Sequence, residues 1–209
     1  MLKSKCKICR RVGVKLFLKG EKCTSPKCAV VKRSYPPGAR AKKRRAPLSE
    51  FGKEMREKQK LKSLYNLNEH QFRNYVREIL KKKRKLEDPS TLLIRKLENR
   101  FDNIIFRLGF ASSHAQARQF VNHGHFLLNN RRVTIPSHQL KKGDKVSICP
   151  VSQKMKIFEN LKVALKKHQL PSWLKLDTEK LEGQVLGLPT LEESAPPGEI
   201  SAIFEYYSR

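Results

Sequence analysis

Apolar and polar positions recur with two different periods along this chain, and the change of period divides it. Phe72, Tyr75, Val76, Ile79 and Leu80 fall three and four residues apart, the spacing of one helical face. Asn68, followed three residues later by Gln71, has the form of a capping box, so a helix is predicted from Asn68. Upstream, Ser49 is the N-cap of a helix predicted over 49–64, with Glu50, Glu54, Lys58 and Lys62 in rows four residues apart. Asp88-Pro89 opens a third helix, with Asp as cap and Pro in the first turn. Its stripe of Leu93, Leu97, Phe101, Ile104, Ile105 and Leu108 reads as core, and Gly109 as its stop.

From Phe110 the pattern shortens. Ser113 with Gln116 predicts another capped helix, with Ala117, Phe120 and Val121 inward, His114, Arg118 and Asn122 outward, and Gly124 at its end. Short apolar runs at 125–128 and 131–135 flank Asn129-Asn130, a pair that tolerates positive φ and suits a tight hairpin. A turn at Lys142-Gly143-Asp144 precedes a third strand over 145–149. Beyond it the chain predicts a helix over 154–168 with Phe158, Leu161 and Leu165 inward, and a buried anchor at Trp173. Extended segments at 177–191 and 200–207 complete the reading. The fold class is α+β.

Charge changes the picture. The chain of 209 residues has 46 Lys and Arg against 19 Asp and Glu, a net +27. Such a polycation repels itself unless a polyanion neutralises it, and nucleic acid is the first candidate. The charge is graded: residues 1–45 carry 16 basic residues against the single acid Glu21, whereas 151–209 carry eight of each sign. A solubility device needs no gradient; a chain with one end in RNA and the other against protein does. No run of about 18 apolar residues is present, so no membrane partner is expected. Lys43, Arg44 and Arg45 follow a Pro- and Gly-containing stretch that cannot build a core of its own, which leaves them for phosphates. Arg73, Arg77, Lys81 and Arg84 line a helix face distinct from the apolar one, and the basic residues of the middle module sit at its ends and turns.

The cysteines add chemistry. Cys6 and Cys9 are separated by two residues, Cys23 and Cys28 by four, and thirteen residues join the pairs. Four thiolates at these spacings suit a closed, structural zinc site. An iron–sulfur cluster takes the same ligands and stays open as the alternative. Lys7, Arg10, Arg11, Lys22 and Lys27 surround the pairs and favour the thiolate. With no secretory segment visible, these thiols suggest a reducing cytoplasm. Cys149 reads as a small core residue.

Several stretches together carry a resemblance. Arg100-Phe101-Asp102-Asn103, Arg107-Leu108-Gly109-Phe110-Ala111-Ser112, Ala115-Gln116-Ala117-Arg118-Gln119 and His123-Gly124-His125-Phe126 resemble the RNA-binding domain named after ribosomal protein S4. Arg56-Glu57-Lys58-Gln59-Lys60, Gln71-Phe72-Arg73-Asn74-Tyr75, Pro171-Ser172-Trp173-Leu174 and Glu205-Tyr206-Tyr207-Ser208-Arg209 extend the likeness over nearly the whole chain, to the bacterial small-subunit S4 family. Two positions depart from the family pattern: Asn130 stands where Gly is usual, and His114 where Arg is common.

The resemblance implies a metal knuckle and basic extension over 1–45, a helical rRNA-binding domain over 46–98, an inserted S4-type domain with a short antiparallel sheet over 99–160, and a C-terminal extension over 161–209 packing back on the helical domain. It implies a ribosome-bound, non-enzymatic protein that binds small-subunit 16S rRNA early and nucleates assembly of the subunit body. It would contact S5, act on accuracy near where mRNA enters, and could repress an mRNA. No small-molecule substrate is implied. The candidate RNA contacts are Arg10, Arg11, Lys43, Arg44, Arg45, Arg56, Lys60, Arg73, Arg77, Lys81, Arg107, Arg118, His123, Arg131 and Arg132; the metal ligands are Cys6, Cys9, Cys23 and Cys28.

Overall fold

A computed structural model describes residues 4–38, 47–81, 88–166 and 168–208. Lys43, Arg44, Arg45 and Arg84 therefore lie outside the described residues. The chain forms two compact units, one from 1–93 with 196–209, the other from 94–195.

In the first unit, α1 (Lys5–Val12), α2 (Glu21–Thr24) and α3 (Ala29–Lys32) carry the cysteine segment. Helix α4 (Glu50–Leu64) begins as its sequence predicts, with the Ser49 hydroxyl accepting from the Gly52 amide at 3.2 Å. Helix α5 (Glu69–Lys81) begins with the Asn68 side chain accepting from the Gln71 amide at 2.8 Å. Its inward positions Phe72, Val76 and Ile79 are buried with Leu61, Tyr65 and Leu67.

The C-terminal segment, expected to be extended, is instead helix α12 (Ile200–Ser208), packed on α4 and α5. Ile200 and Ile203 are buried. Their spacing has the helical period, and burial of that stripe decides the conformation. Lys58 joins the three helices. Its buried ammonium lies 4.1 Å from the Tyr206 ring centroid and donates to Glu69 at 2.8 Å. Glu69 also accepts from Lys62 at 2.7 Å and from the Tyr207 hydroxyl at 2.8 Å. A buried ammonium needs such partners. Lys58 thus belongs to the packing of the unit, not to a solvent-facing charge row.

The second unit begins within α6 (Pro89–Glu98). The long helix expected over 88–109 is broken in two. Helix α7 (Phe101–Arg107) follows after Arg100, whose backbone is extended and pairs with Gln139. The Phe101 amide donates to the His138 carbonyl at 2.8 Å, and the Leu140 amide to the Asn99 carbonyl at 2.9 Å. Pairing with this distant segment of the same chain interrupts the helix at residues 99–100, while the apolar stripe stays buried on both pieces. The Arg100 guanidinium is fully buried and forks onto Asp102 at 2.7 and 3.0 Å. Helix α8 (His114–Asn122) is capped by Ser113, whose hydroxyl accepts from the Gln116 amide at 3.3 Å.

The sheet is antiparallel throughout, with strands β1 (Phe126–Leu128), β2 (Arg131–Arg132), β3 (Lys145–Ile148), β4 (Leu174–Asp177) and β5 (Glu182–Val185). Their order is β2-β1-β3-β5-β4. Asn129 and Asn130 both have positive φ, 48° and 64°, so the hairpin tolerates Asn in place of Gly. Asn129 also accepts from the Lys145 amide and donates to Asp144, both at 2.9 Å, which ties the hairpin to β3.

One expectation for the region after Cys149 is corrected. The helix over 154–168 is replaced by α9 (Pro150–Gln153), a 3₁₀ turn over Lys156–Phe158 and α10 (Leu161–Lys166). The turn delivers Phe158 among Phe120, His125 and Phe126, with ring centroids 5.3, 5.8 and 6.3 Å away. Residues 161–195 belong to the second unit, where β5 pairs with β3 and extends the sheet. Gly183 permits this: a Cβ there would collide with Leu108. Trp173 is buried beneath, as expected. Helix α11 (Leu191–Ser194) ends the unit.

Candidate nucleic-acid interface and cysteine cluster

Helix α5 presents the clearest basic face. Phe72, Val76 and Ile79 fill one side, and Arg73, Arg77 and Lys81 stand exposed on another, four residues apart. The apolar side is anchored, so the stripe is held on a rigid rod. On α4, Arg56 is half-buried, and Lys60 is half-buried and paired with Glu57. Arg11 is exposed on α1. Arg10 is held within the protein. Its guanidinium donates to the carbonyls of Arg33 at 3.0 Å, Tyr35 at 2.9 Å and Pro36 at 3.4 Å, and lies 4.9 Å from the Tyr35 ring centroid. That fork binds residues 33–36 back onto α1.

In the second unit the basic residues divide in the same way. Arg131 and His123 are exposed, and Arg118 is half-buried on α8. The Arg132 guanidinium donates to the carbonyls of Gly124 at 2.9 Å and His123 at 3.0 Å, capping the end of α8. Gly124 suits the position through its φ of +72°, and a Cβ there would displace that guanidinium. Arg107 forks onto the fully buried Glu98 at 2.7 and 3.0 Å. Arg107, Arg132 and Arg10 thus spend guanidinium edges on the fold, and of these three only Arg132 is also exposed.

A polar network that the sequence did not announce surrounds Glu98. Asn103 donates to the Glu98 carboxylate at 2.6 Å and to its carbonyl at 2.9 Å. The Asn103 oxygen then faces His114 Nε2 at 3.0 Å. Because the amide nitrogen is engaged by Glu98, the imidazole Nε2–H is the donor. The ring packs 4.0 Å from Phe106, centroid to centroid. Burial, then the charges of Arg107 and Arg100, push the His114 pKa down to about 3. His114 is therefore neutral at physiological pH, so it carries no charge at the position where Arg is common in the family pattern. No periodicity could have revealed this network, because its members come from the end of α6, α7 and the start of α8.

The four N-terminal cysteines converge. Cys6, Cys9, Cys23 and Cys28 all line one small cavity with Leu18, Ala29 and Val30. Cys9, Cys23 and Cys28 are buried. Burial raises the Cys9 pKa, opposed by a backbone hydrogen bond from Leu16 and reinforced by the other three thiols. The Lys19 amide points at Cys23 Sγ, 3.4 Å away. Amide-to-sulfur bonds of this kind favour thiolate. The donor set therefore fits a soft or borderline metal in chemistry, although among the described residues no three side chains of His, Cys, Asp or Glu are arranged to hold an ion as they stand. Cys149 is half-buried at the end of β3, apart from this cluster. Among the described residues, no helix is long and apolar enough to cross a membrane.

Comparison with known proteins agrees with both units. Residues 1–98 match the family described as Ribosomal protein S4/S9 N-terminal domain, and residues 100–146 match the S4 domain. The chain is 43% identical over 204 residues to small ribosomal subunit protein uS4 of Thermus thermophilus, covering 98% of this chain and 96% of that one. It is 44% identical over 204 residues to uS4 of Natranaerobius thermophilus, with the same coverage. With uS4 of Acidobacterium capsulatum it shares 45% over 204 residues, again 98% and 96%. These matches run the length of both units, and the chain belongs to the uS4 family of small-subunit ribosomal proteins, a family of structural proteins and not of enzymes.

Proposed function

We propose that this protein is a cytoplasmic structural constituent of the small ribosomal subunit that binds its rRNA directly. The observation that carries the reading is the α5 stripe of Arg73, Arg77 and Lys81: exposed, rigidly backed, and part of a chain of net charge +27. Recognition proceeds through RNA shape and phosphate neutralisation, because side chains cannot read the deep, narrow major groove of A-form RNA. Family membership extends the reading: early binding at an rRNA helical junction, nucleation of the subunit body, contact with S5, and an influence on accuracy near where mRNA enters. The same surface could hold a folded mRNA and repress its translation.

Cys6, Cys9, Cys23 and Cys28 would hold a zinc ion in this proposal. A closed four-thiolate site crosslinks the segment and leaves no position for substrate. The supporting observation is their convergence on one cavity in a segment too basic to fold by burial alone. A purified sample carrying zinc and lacking the visible absorption of an iron–sulfur cluster separates the two metal readings.

The deciding experiment measures affinity for a small-subunit rRNA transcript over a range of salt. Log affinity should fall steeply and linearly with log salt concentration. Arg73→Ala and Arg77→Ala should each reduce the slope by roughly one. A flat salt response would defeat the reading.

A further inference from the structure

Phe17 stands out in the cysteine segment. Its neighbours Leu16 and Leu18 are buried beside Cys9, while Phe17 leaves 50% of its surface in solvent. Its φ is +50°, a left-handed conformation that residues with a bulky side chain rarely adopt. The backbone is pinned there from three directions. The Leu16 amide bonds to the Cys9 thiol, the Lys19 amide meets Cys23 Sγ at 3.4 Å, and the Gly20 amide donates to the Phe17 carbonyl at 3.2 Å. With Leu16 and Leu18 turned in, the ring is held outward.

Glycine would relieve the backbone at this position, and a polar side chain would be better solvated. Strain maintained by its surroundings is concentrated at ligand clamps. The ligand is indicated by charge. Lys15, Lys19 and Lys22 lie within five residues, Lys19 and Lys22 exposed, and Glu21 is the one acid in residues 1–45. A flat apolar ring among ammonium groups is the chemistry of a stacking platform for an unpaired base whose phosphates meet the cations. An apolar protein surface would satisfy the ring but leave the lysines without counterions.

We propose that Phe17 stacks on an unpaired nucleobase of the bound rRNA. The inference rests on the rRNA reading above and adds a second, uncharged contact to it. The test uses the full chain with its metal and a small-subunit rRNA transcript, without other proteins. Phe17→Tyr and Phe17→Trp should bind as the parent does, and the indole of the latter should be quenched by RNA, against the background of the buried Trp173. Phe17→Leu and Phe17→Ala should weaken binding roughly 5- to 100-fold, with the salt slope unchanged because a stacked ring carries no charge. Phe17→Gly should lose affinity equally while its amides near Cys9 exchange more slowly than the parent's, a divergence that a purely structural role would not produce.

Full affinity in Phe17→Leu, or in Phe17→Gly, would overturn the stacking role while leaving the rRNA reading intact. A loss seen only in subunits carrying other ribosomal proteins would also overturn it, in favour of a protein contact. If the parent itself ignored the transcript, the rRNA reading would be the one to fall.

Discussion

The middle unit and the cysteine segment solve the same problem with different means. The middle unit buries a continuous apolar cluster that runs from Phe101 and Ile104 through Phe126, Val146 and Phe158 to Trp173 and Val185. The cysteine segment buries Cys9, Leu16 and Leu18, with Ile8 and Val30 packed alongside. Its helices α2 and α3 are single turns, too short to persist alone. The first region is held by burial and can carry charge on its rim. The second is dense in charge, and the zinc proposal would give it the crosslink that its small core does not. The contrast is between a basic rim carried on a large apolar core and a basic segment with little core of its own.

Metal removal should break the comparison most sharply. Structural zinc in small domains contributes on the order of 10 kcal/mol of folding free energy. Chelation should abolish amide protection near Cys9 and Gly13 while β1, β3 and β5 stay protected. Hydrogen exchange with and without chelator checks this, and unchanged protection at Cys9 would remove the metal from the account.

The converse perturbation is Phe126→Ala. Phe126 is fully buried and packs against Phe101, Phe110 and Phe158, with centroids 5.7 to 6.4 Å away. The cavity should cost about 3–5 kcal/mol of the middle unit's stability, seen as a lowered denaturant midpoint with the cysteine segment unaffected.

His114 supplies a smaller, pH-dependent effect confined to the middle unit. Its folded pKa, about 3, lies below its ordinary value of 6.5. Between those values the unfolded chain binds a proton that the folded chain does not. Stability should be complete above pH 6.5 and decline as pH falls towards 3, by up to about 1.4 kcal/mol per pH unit. His114→Phe should flatten that decline in urea titrations at pH 4 to 6.5. An unaltered slope would show that other groups govern it.

Acid should also loosen the first unit, at lower pH. Burial pushes Glu69 up, but hydrogen bonds from Lys58, Lys62 and Tyr207 outweigh it and hold the carboxyl at about 2, below its ordinary 4.5. The stability Glu69 contributes is present above pH 4.5 and lost as pH falls towards 2. Because Glu69 is partly exposed, the loss should be modest, visible as faster exchange in α12. The smallest expected effect on stability belongs to Arg73→Ala on the exposed stripe, within about 0.5 kcal/mol by thermal unfolding. A large destabilisation there would mean that the stripe supports the fold.

Local signals were legible at several places where a side chain answers its own backbone. Ser49, Asn68 and Ser113 cap the helices that their spacing announces, and Asn129-Asn130 turn the hairpin. The basic face of α5 followed from its period alone. The break at Arg100 was not legible, because no Gly or Pro marks it and its cause is pairing with residues nearly forty positions away. The roles of Arg10, Arg107 and Arg132 were hidden for the same reason: composition counts cations but does not say which of them meet carbonyls or carboxylates.

By itself, then, the sequence determined the class of the protein, the period of most helices, the capping and turn chemistry, the two cysteine pairs and the affinity for polyanion. These depend on residues close in the chain or on total charge. Tertiary structure alone decided that β4 and β5 complete the sheet, that α12 is helical, that three arginines bind the fold, and that Phe17 is held outward in a left-handed turn. Each of those outcomes depends on which distant groups compete for the same hydrogen bonds and buried space, and that competition is settled only when the chain is packed.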